Sequence, residues 1–324
     1  MTEGRDRVAV GPSVAHAGPA PGVLIGNEAV KVFANLHPGS PVLDVVERSL
    51  SISYEIYLGP TGRSFLTESF AGLRDVLARG GDLEAFFAGR RAAFAGAGLQ
   101  KSVRYKLSSL RRTLRLIGER ELAGVVVDVG ANDNSLGRLL ADGGYGVQRT
   151  IGVDIRPASP PVDDGGGKVS FVLQQDEREL PLPSASADVV IMRYCLHHMT
   201  FDVQLDILAE AKRVLRPGGR LVIVEDTVSR VEIPYASNTV HDELLALDDT
   251  AVATALACLD ASSCLVEEES MPFPFSFRSF EEWRHVLADT GMPTTRTQYW
   301  GLPFFSLYQA PLGIFEARRP QRDR

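Results

Sequence analysis

The run VVVDV (125 to 129) leads directly into Gly130-Ala131-Asn132-Asp133-Asn134-Ser135-Leu136-Gly137, and LGRLLA within and behind that turn has helical spacing. A sharp strand-to-helix turn without side chains at key points lets a ligand approach the backbone, and the free amides at the helix start favour polar or anionic groups. NAD, FAD, nucleotides and S-adenosylmethionine all fit such a turn, so the turn alone leaves the ligand open. Asp154 stands 24 residues after Gly130, at the end of the next β-branched run, where a carboxylate accepts hydrogen bonds from both ribose hydroxyls. Asp176 lies just beyond the third run, in position to accept a bond from an adenine amino group. Groups able to take a proton follow. His197 and His198 come just after the fourth run, His241 and Asp242 lie in TVHDELLALDD, and Glu225 and Asp226 end the fifth run. Adjacent residues face different sides of a helix, so His241 and Asp242 need not act together.

The elements that must position these groups show in the periodicity. Short β-branched runs, VVVDV, TIGVD (150 to 154), KVSFVL (168 to 173), DVVIM (188 to 192) and RLVIVE (220 to 225), alternate with helical periods. That alternation predicts a parallel sheet covered by helices. In AEAKRVLRPGGRLVIVED the helix is expected to end at Leu215, with Pro217 and two glycines making the turn. Ser279 with Glu282 forms a capping box that opens a helix with Trp283, Val286 and Leu287 inward and Gly291 at its stop. TTRTQYW and FSLYQAPLGIFEARR read as two further strands, with Pro311 and Gly313 marking a turn or irregularity.

Ahead of the sheet, from about 41 to 120, the pattern is helical. Leu66, Phe70, Leu73 and Leu77 fall at steps of three and four, as do Leu99, Val103, Leu107, Leu110, Leu114 and Ile117. Between them GDLEAFFAG reads as a short helix from Asp82 to Gly89. Residues 1 to 25 are rich in Gly, Pro and Ala and are expected to form a loose tail.

The order of motifs from about 121 to 226 resembles the core of a class I S-adenosylmethionine-dependent methyltransferase, of the broad type related to ubiquinone and menaquinone methyltransferases. The resemblance implies a Rossmann-like sheet, mostly parallel with an antiparallel C-terminal strand, in an α/β chain with an added N-terminal helical region. It implies S-adenosyl-L-methionine as cofactor and S-adenosyl-L-homocysteine as product. Its first motif falls on Asp128, Gly130, Ala131 and Asn132, and its ribose acid on Asp154 with Ile155 beside it. The adenine-side acid falls on Asp176 with Glu177, and the fourth-strand lining on Arg193, Tyr194 and Leu196. The family commonly has glycines where this chain has Asn132 and Asn134; asparagine tolerates left-handed backbone, so the turn is expected to survive.

Methyl transfer from a sulfonium needs the acceptor aligned, water excluded and one proton removed if the nucleophile is a hydroxyl. His241, His198 and His197 are the candidate bases. Phe273, Phe275, Phe277, Tyr299, Trp300, Phe304 and Phe305 are candidate walls of an apolar acceptor pocket, or core. The expected division is a tail (1 to 25), a helical cap or dimerisation region (26 to 120) and a cofactor-binding domain (121 to 324) with an acceptor-pocket insertion at 227 to 278. By analogy the chain is read as an O-methyltransferase of bacterial secondary metabolism acting on a small molecule. A quinone-precursor C-methyltransferase and a non-methylating cyclase-like descendant are the alternatives.

Composition narrows the partners. The formal net charge is -7 over 324 residues with both signs spread along the chain, whereas nucleic-acid binding usually shows as a basic excess. The basic residues Lys101, Arg104, Lys106, Arg111, Arg112 and Arg115 on one helix read as a solvated face. Three cysteines with no CxxC pair, and no His cluster at zinc spacing, give no metal set and suggest reduced thiols. No run of about eighteen consecutive apolar residues and no signal-like N-terminus is legible, so a cytoplasmic protein, without membrane partners and with a homodimer as one expected assembly, is the reading.

Overall fold

Seven strands form one sheet in the order β3-β2-β1-β4-β5-β7-β6. They are β1 (Ala123–Val129), β2 (Gly146–Asp154), β3 (Val169–Leu173), β4 (Ala187–Arg193), β5 (Leu215–Asp226), β6 (Thr294–Gly301) and β7 (Leu312–Arg318). The computed structural model describes residues 27–99, 103–118, 121–143, 145–157, 167–267, 271–302 and 310–321. The N-terminal tail, Lys101, Phe304 and Phe305 lie outside the described residues, as do the side chains of Arg104 and Lys106.

The five β-branched runs are the five parallel strands, and β7 runs antiparallel to both β5 and β6. Alternate residues of these strands enter two different cores, because successive side chains point to opposite faces. Val127, Val190, Met192, Leu221 and Ile223 pack under α6 (Phe201–Val214) and α9 (Phe280–Asp289). Val126, Val189, Ile191, Val222 and Val224 pack with Leu110 and Leu114 of α4 (Val103–Leu116), with Ile117 just after it and with α5 (Ser135–Asp142). Burial on both faces explains why the strands read as continuous apolar runs. The strand order reverses between β1 and β4, and in open α/β sheets a ligand site lies outside the carboxyl ends of such a pair.

A separate apolar core joins α1 (Asn27–Ala34), α2 (Pro41–Arg79) and α3 (Leu83–Gly96) to α7 (Thr239–Ala246) and α8 (Asp249–Glu267). The helices before the sheet and the insertion after β5 therefore share one cap. Phe33, Leu43, Val46 and Leu50 meet Ala255, Cys258 and Leu259 in its interior. α8 is, among the described helices, long and apolar enough to cross a membrane, but 61% of that window is buried within the protein, where it is the centre of the cap. Three details differ from the sequence reading. α3 continues through Gly89 to Gly96, since the cost of about 1 kcal/mol for a helical glycine is offset where Phe87 and Phe94 are buried on either side. The segment 216 to 219 is a bulge inside β5 rather than a turn ahead of it: Leu215 already pairs with Ala187 before Arg220 pairs with Val189. α4 belongs to the sheet, where buried Arg220 binds Glu316 at 2.9 Å and the Ile117 carbonyl at the end of α4.

Candidate active site

The glycine turn is built by its neighbours. Gly130 and Ala131 donate to the Val153 carbonyl of β2 at 2.8 and 3.1 Å, closing the turn onto the adjacent strand. Gly130 has φ 72°, and a Cβ there would lie 2.5 Å from the Cβ of Cys195. The post-β1 and post-β4 loops thus touch at a point with no room for a side chain. Gly130→Ala combines left-handed strain with a hard contact, and is expected to cost about 2–4 kcal/mol in urea unfolding. A loss below about 1 kcal/mol would show that the contact relaxes freely.

Both asparagines of the turn, at positions where the resemblance implies glycine, are left-handed, Asn132 at φ 50° and Asn134 at φ 57°. They do different jobs. Asn132 is exposed, and its amide donates to Asp154 Oδ2 at 2.8 Å. Asn134 is fully buried and turns its side chain inward, donating to the Ser170 carbonyl of β3 and filling the space that Gly137 and Gly152 leave free.

At the carboxyl edge Asp154 is buried and accepts from the amides of Asn132 and Arg156, at 2.8 and 2.9 Å, so one carboxylate pins the loop after β1 and the loop after β2. Ile155 is exposed beside it. Beyond β3, Asp176 and Glu177 are exposed, and Asp176 caps the Arg178 amide at 2.8 Å. Gln174, buried just before them, has an Nε2 without a partner; the sequence reading passed it over. Asp128 is buried at the end of β1, with Oδ2 unpaired, and Arg193 at the end of β4 has a buried, unpaired Nε. Tyr194 follows at φ 51°, its ring under the Arg193 guanidinium, and Leu196 is fully buried.

Burial pushes the Asp128 carboxyl up to about 7; Arg193 opposes this, while Asp154 and Asp133 reinforce it. A folded-state value above the unfolded one means the folded protein holds the extra proton, so stability falls as pH rises from the ordinary carboxylate range through about 7. Asp128→Asn removes that penalty. Above pH 7 the variant is expected to be the more stable, by at most about 4 kcal/mol, with the advantage vanishing in acid. Urea midpoints measured across pH check this, and a variant less stable than wild type at every pH would contradict it.

A second hub lies behind the post-β4 loop. Glu225, fully buried at the end of β5, accepts from the amides of Cys195 (2.9 Å) and Leu196 (2.7 Å) through one oxygen and meets His197 Nδ1 at 2.6 Å with the other. Burial works to lower the His197 pKa, but Glu225 and Asp260 outweigh it and hold the ring well above its usual value. His198 goes the other way, lowered to about 4 by burial and by His197. Its Nδ1 faces the Pro272 carbonyl at 2.9 Å, and its Nε2 lies 3.7 Å from Asp260 of α8. Phe277 stacks on His197 and Phe273 meets His198 edge-on, so two of the expected aromatic walls do line this cluster. Asp226, next to Glu225, is pushed up to about 7 by burial.

His241 is placed elsewhere. It is buried, its Nε2 meets the Tyr299 hydroxyl at 2.7 Å, and its Nδ1 has no hydrogen-bond partner; Asp242 Oδ1 is 3.8 Å away. Burial lowers the His241 pKa and raises that of Tyr299. Tyr299 packs in the sheet core and Trp300 against Tyr235. The three cysteines are free and buried.

Residues 127–223 match the methyltransferase-domain family. Over 102 residues the chain is 34% identical to the demethylmenaquinone methyltransferase of Tropheryma whipplei (strain Twist), an alignment covering 31% of this chain. It spans only 41% of the length of that relative. Two of the solved structures to which the chain is similar are a methyltransferase and a biosynthetic protein by name. The 1,6-didemethyltoxoflavin-N1-methyltransferase of Burkholderia thailandensis matches with a TM-score of 0.45 and 19% identity, over 73% of this chain and 89% of its own. The pyocyanin biosynthetic protein PhzM matches with a TM-score of 0.48 and 19% identity, over 76% and 64%. The matched stretch, residues 127–223, runs from within β1 to within β5 and so contains the glycine turn and the strand-order reversal.

Proposed function

We propose that the protein transfers a methyl group from S-adenosylmethionine to a small molecule held between the carboxyl edge of the sheet and the cap of α1–α3, α7 and α8. The observation that supports this best is the pair of unpaired buried groups at the strand-order reversal, Asp128 Oδ2 and Arg193 Nε. An amino-acid zwitterion matches that pair: its ammonium would donate to Asp128 and its carboxylate would accept from Arg193. Asp154 would take the ribose hydroxyls, with Asp176 on the adenine side, and Leu196 would line the site. The bound sulfonium supplies an electrophilic methyl group. The chain's own part is to hold the acceptor, keep water out with the cap and bring the acceptor's hydroxyl to the cluster of His197, His198 and Asp260.

The acceptor we favour carries a hydroxyl, which makes the reaction an O-methylation of the kind used to tailor secondary metabolites. Reduced thiols suit a cytoplasmic enzyme. A second reading, C-methylation of a quinone precursor, draws on the 34% identity to demethylmenaquinone methyltransferase. Incubation with methyl-labelled donor and a panel of phenols, hydroxy acids and prenylated rings separates the two. Label on oxygen supports the first, label on ring carbon supports the second, and no S-adenosylhomocysteine with any acceptor overturns both.

A further inference from the structure

We propose that His197, His198 and Asp260 form a binding site for a transition-metal dication of the zinc class. His197 Nε2 and His198 Nε2 converge on the same oxygen, Asp260 Oδ1, at 3.9 and 3.7 Å, and ligand atoms of all three residues lie within 4.8 Å of one another. Bonds of about 2.0–2.2 Å to a central ion put tetrahedral ligand atoms roughly 3.3–3.6 Å apart. Small side-chain rotations therefore close the set.

The outer partners are those that metal-binding histidines use. Glu225 holds His197 Nδ1 at 2.6 Å, in the carboxylate–histidine arrangement that aims the opposite nitrogen at a metal. The Pro272 carbonyl holds His198 Nδ1 at 2.9 Å. A carbonyl can only accept, so the ring hydrogen sits on Nδ1 and the Nε2 lone pair faces Asp260. The second oxygen of Asp260 is buried without a partner. Two imidazoles and one carboxylate suit zinc or cobalt, whereas magnesium and calcium favour oxygen ligands alone. Three protein ligands leave a position for an oxygen of water or substrate. On the methyl-transfer reading, a hydroxyl bound there would ionise at neutral pH without a dedicated protein base.

The test is titration of the full chain with zinc alone and with cobalt alone, followed by calorimetry and by visible absorption. Wild type is expected to bind one ion per chain, with cobalt d–d bands and no thiolate-to-metal charge transfer. Asp260→Asn, His198→Ala and His198→Gln are each expected to weaken binding by at least about tenfold. Urea midpoints and S-adenosylmethionine titration of the same variants show that they are folded. Wild type that binds no stoichiometric ion, variants that bind like wild type, or a thiolate band placing the ion on Cys258 or Cys264 would each overturn the site. A failure confined to cofactor binding would count against the methyl-transfer reading alone.

Discussion

Asp154→Ala is expected to weaken S-adenosylmethionine binding by about 100-fold or more. The carboxylate has two duties. It would accept from the ribose hydroxyls, and it accepts the amides of Asn132 and Arg156, which hold the loops after β1 and β2 in place. Hydrogen bonds to a charged acceptor contribute about 1.5–3 kcal/mol each, and losing several at once reaches that magnitude. Asp154→Asn keeps an oxygen for the backbone, so it should retain the loop and lose mainly the ribose contribution, about tenfold. Calorimetric titration ranks the three proteins. Equal affinity in wild type and the alanine variant would remove Asp154 from the cofactor site.

The largest effect on stability is expected from Glu225→Ala. That change leaves the Cys195 and Leu196 amides and His197 Nδ1 buried without their partner, since Glu225 is fully buried and is bonded to all three. Removing one partner of a buried charged network costs about 3–5 kcal/mol, more than its attraction contributed, because the remaining groups lie desolvated. The post-β4 loop, which carries Leu196 and both histidines, would lose its anchor, so cofactor affinity should fall together with the urea midpoint. Glu225→Gln still offers one oxygen to the two amides and should cost less than half as much. An alanine variant within about 1 kcal/mol of wild type would show that the hub is not what holds the loop.

How much of this was legible depended on how local the cause was. The parallel strands read correctly because burial on both faces demands unbroken β-branched runs, and 188 to 192 or 220 to 225 have nothing else to be. The capping box at Ser279 and Glu282 is present with both of its bonds, since four residues contain the whole motif. The left-handed turn at Asn132 and Asn134 was equally local. The inward role of Asn134 was not, because Gly152 and Ser170, which make room for it and bind it, come from β2 and β3.

The same distinction explains the site. Asp154 announces itself by its distance from the glycine turn, but Asp260 is brought to His198 only by the packing of α8 in the cap, across 62 residues of chain. A carboxylate within an apolar helix was the available signal. It was lost among the alanines and leucines that fit the cap equally well. His241 was singled out for its place in the segment inserted after β5, yet its burial against Tyr299 depends on β6, which follows it by more than fifty residues. The cap itself was half visible. The helices before the sheet show in their spacing, while their partnership with α7 and α8 is a tertiary fact.

The measurement that bears most directly on the central claim is calorimetric titration of the wild-type chain with S-adenosylmethionine and S-adenosylhomocysteine, with NADH as the control. Both sulfur ligands are expected to bind one per chain with micromolar affinity or better, and NADH is expected not to bind. Binding of NADH instead, or of none of the three, would contradict the claim.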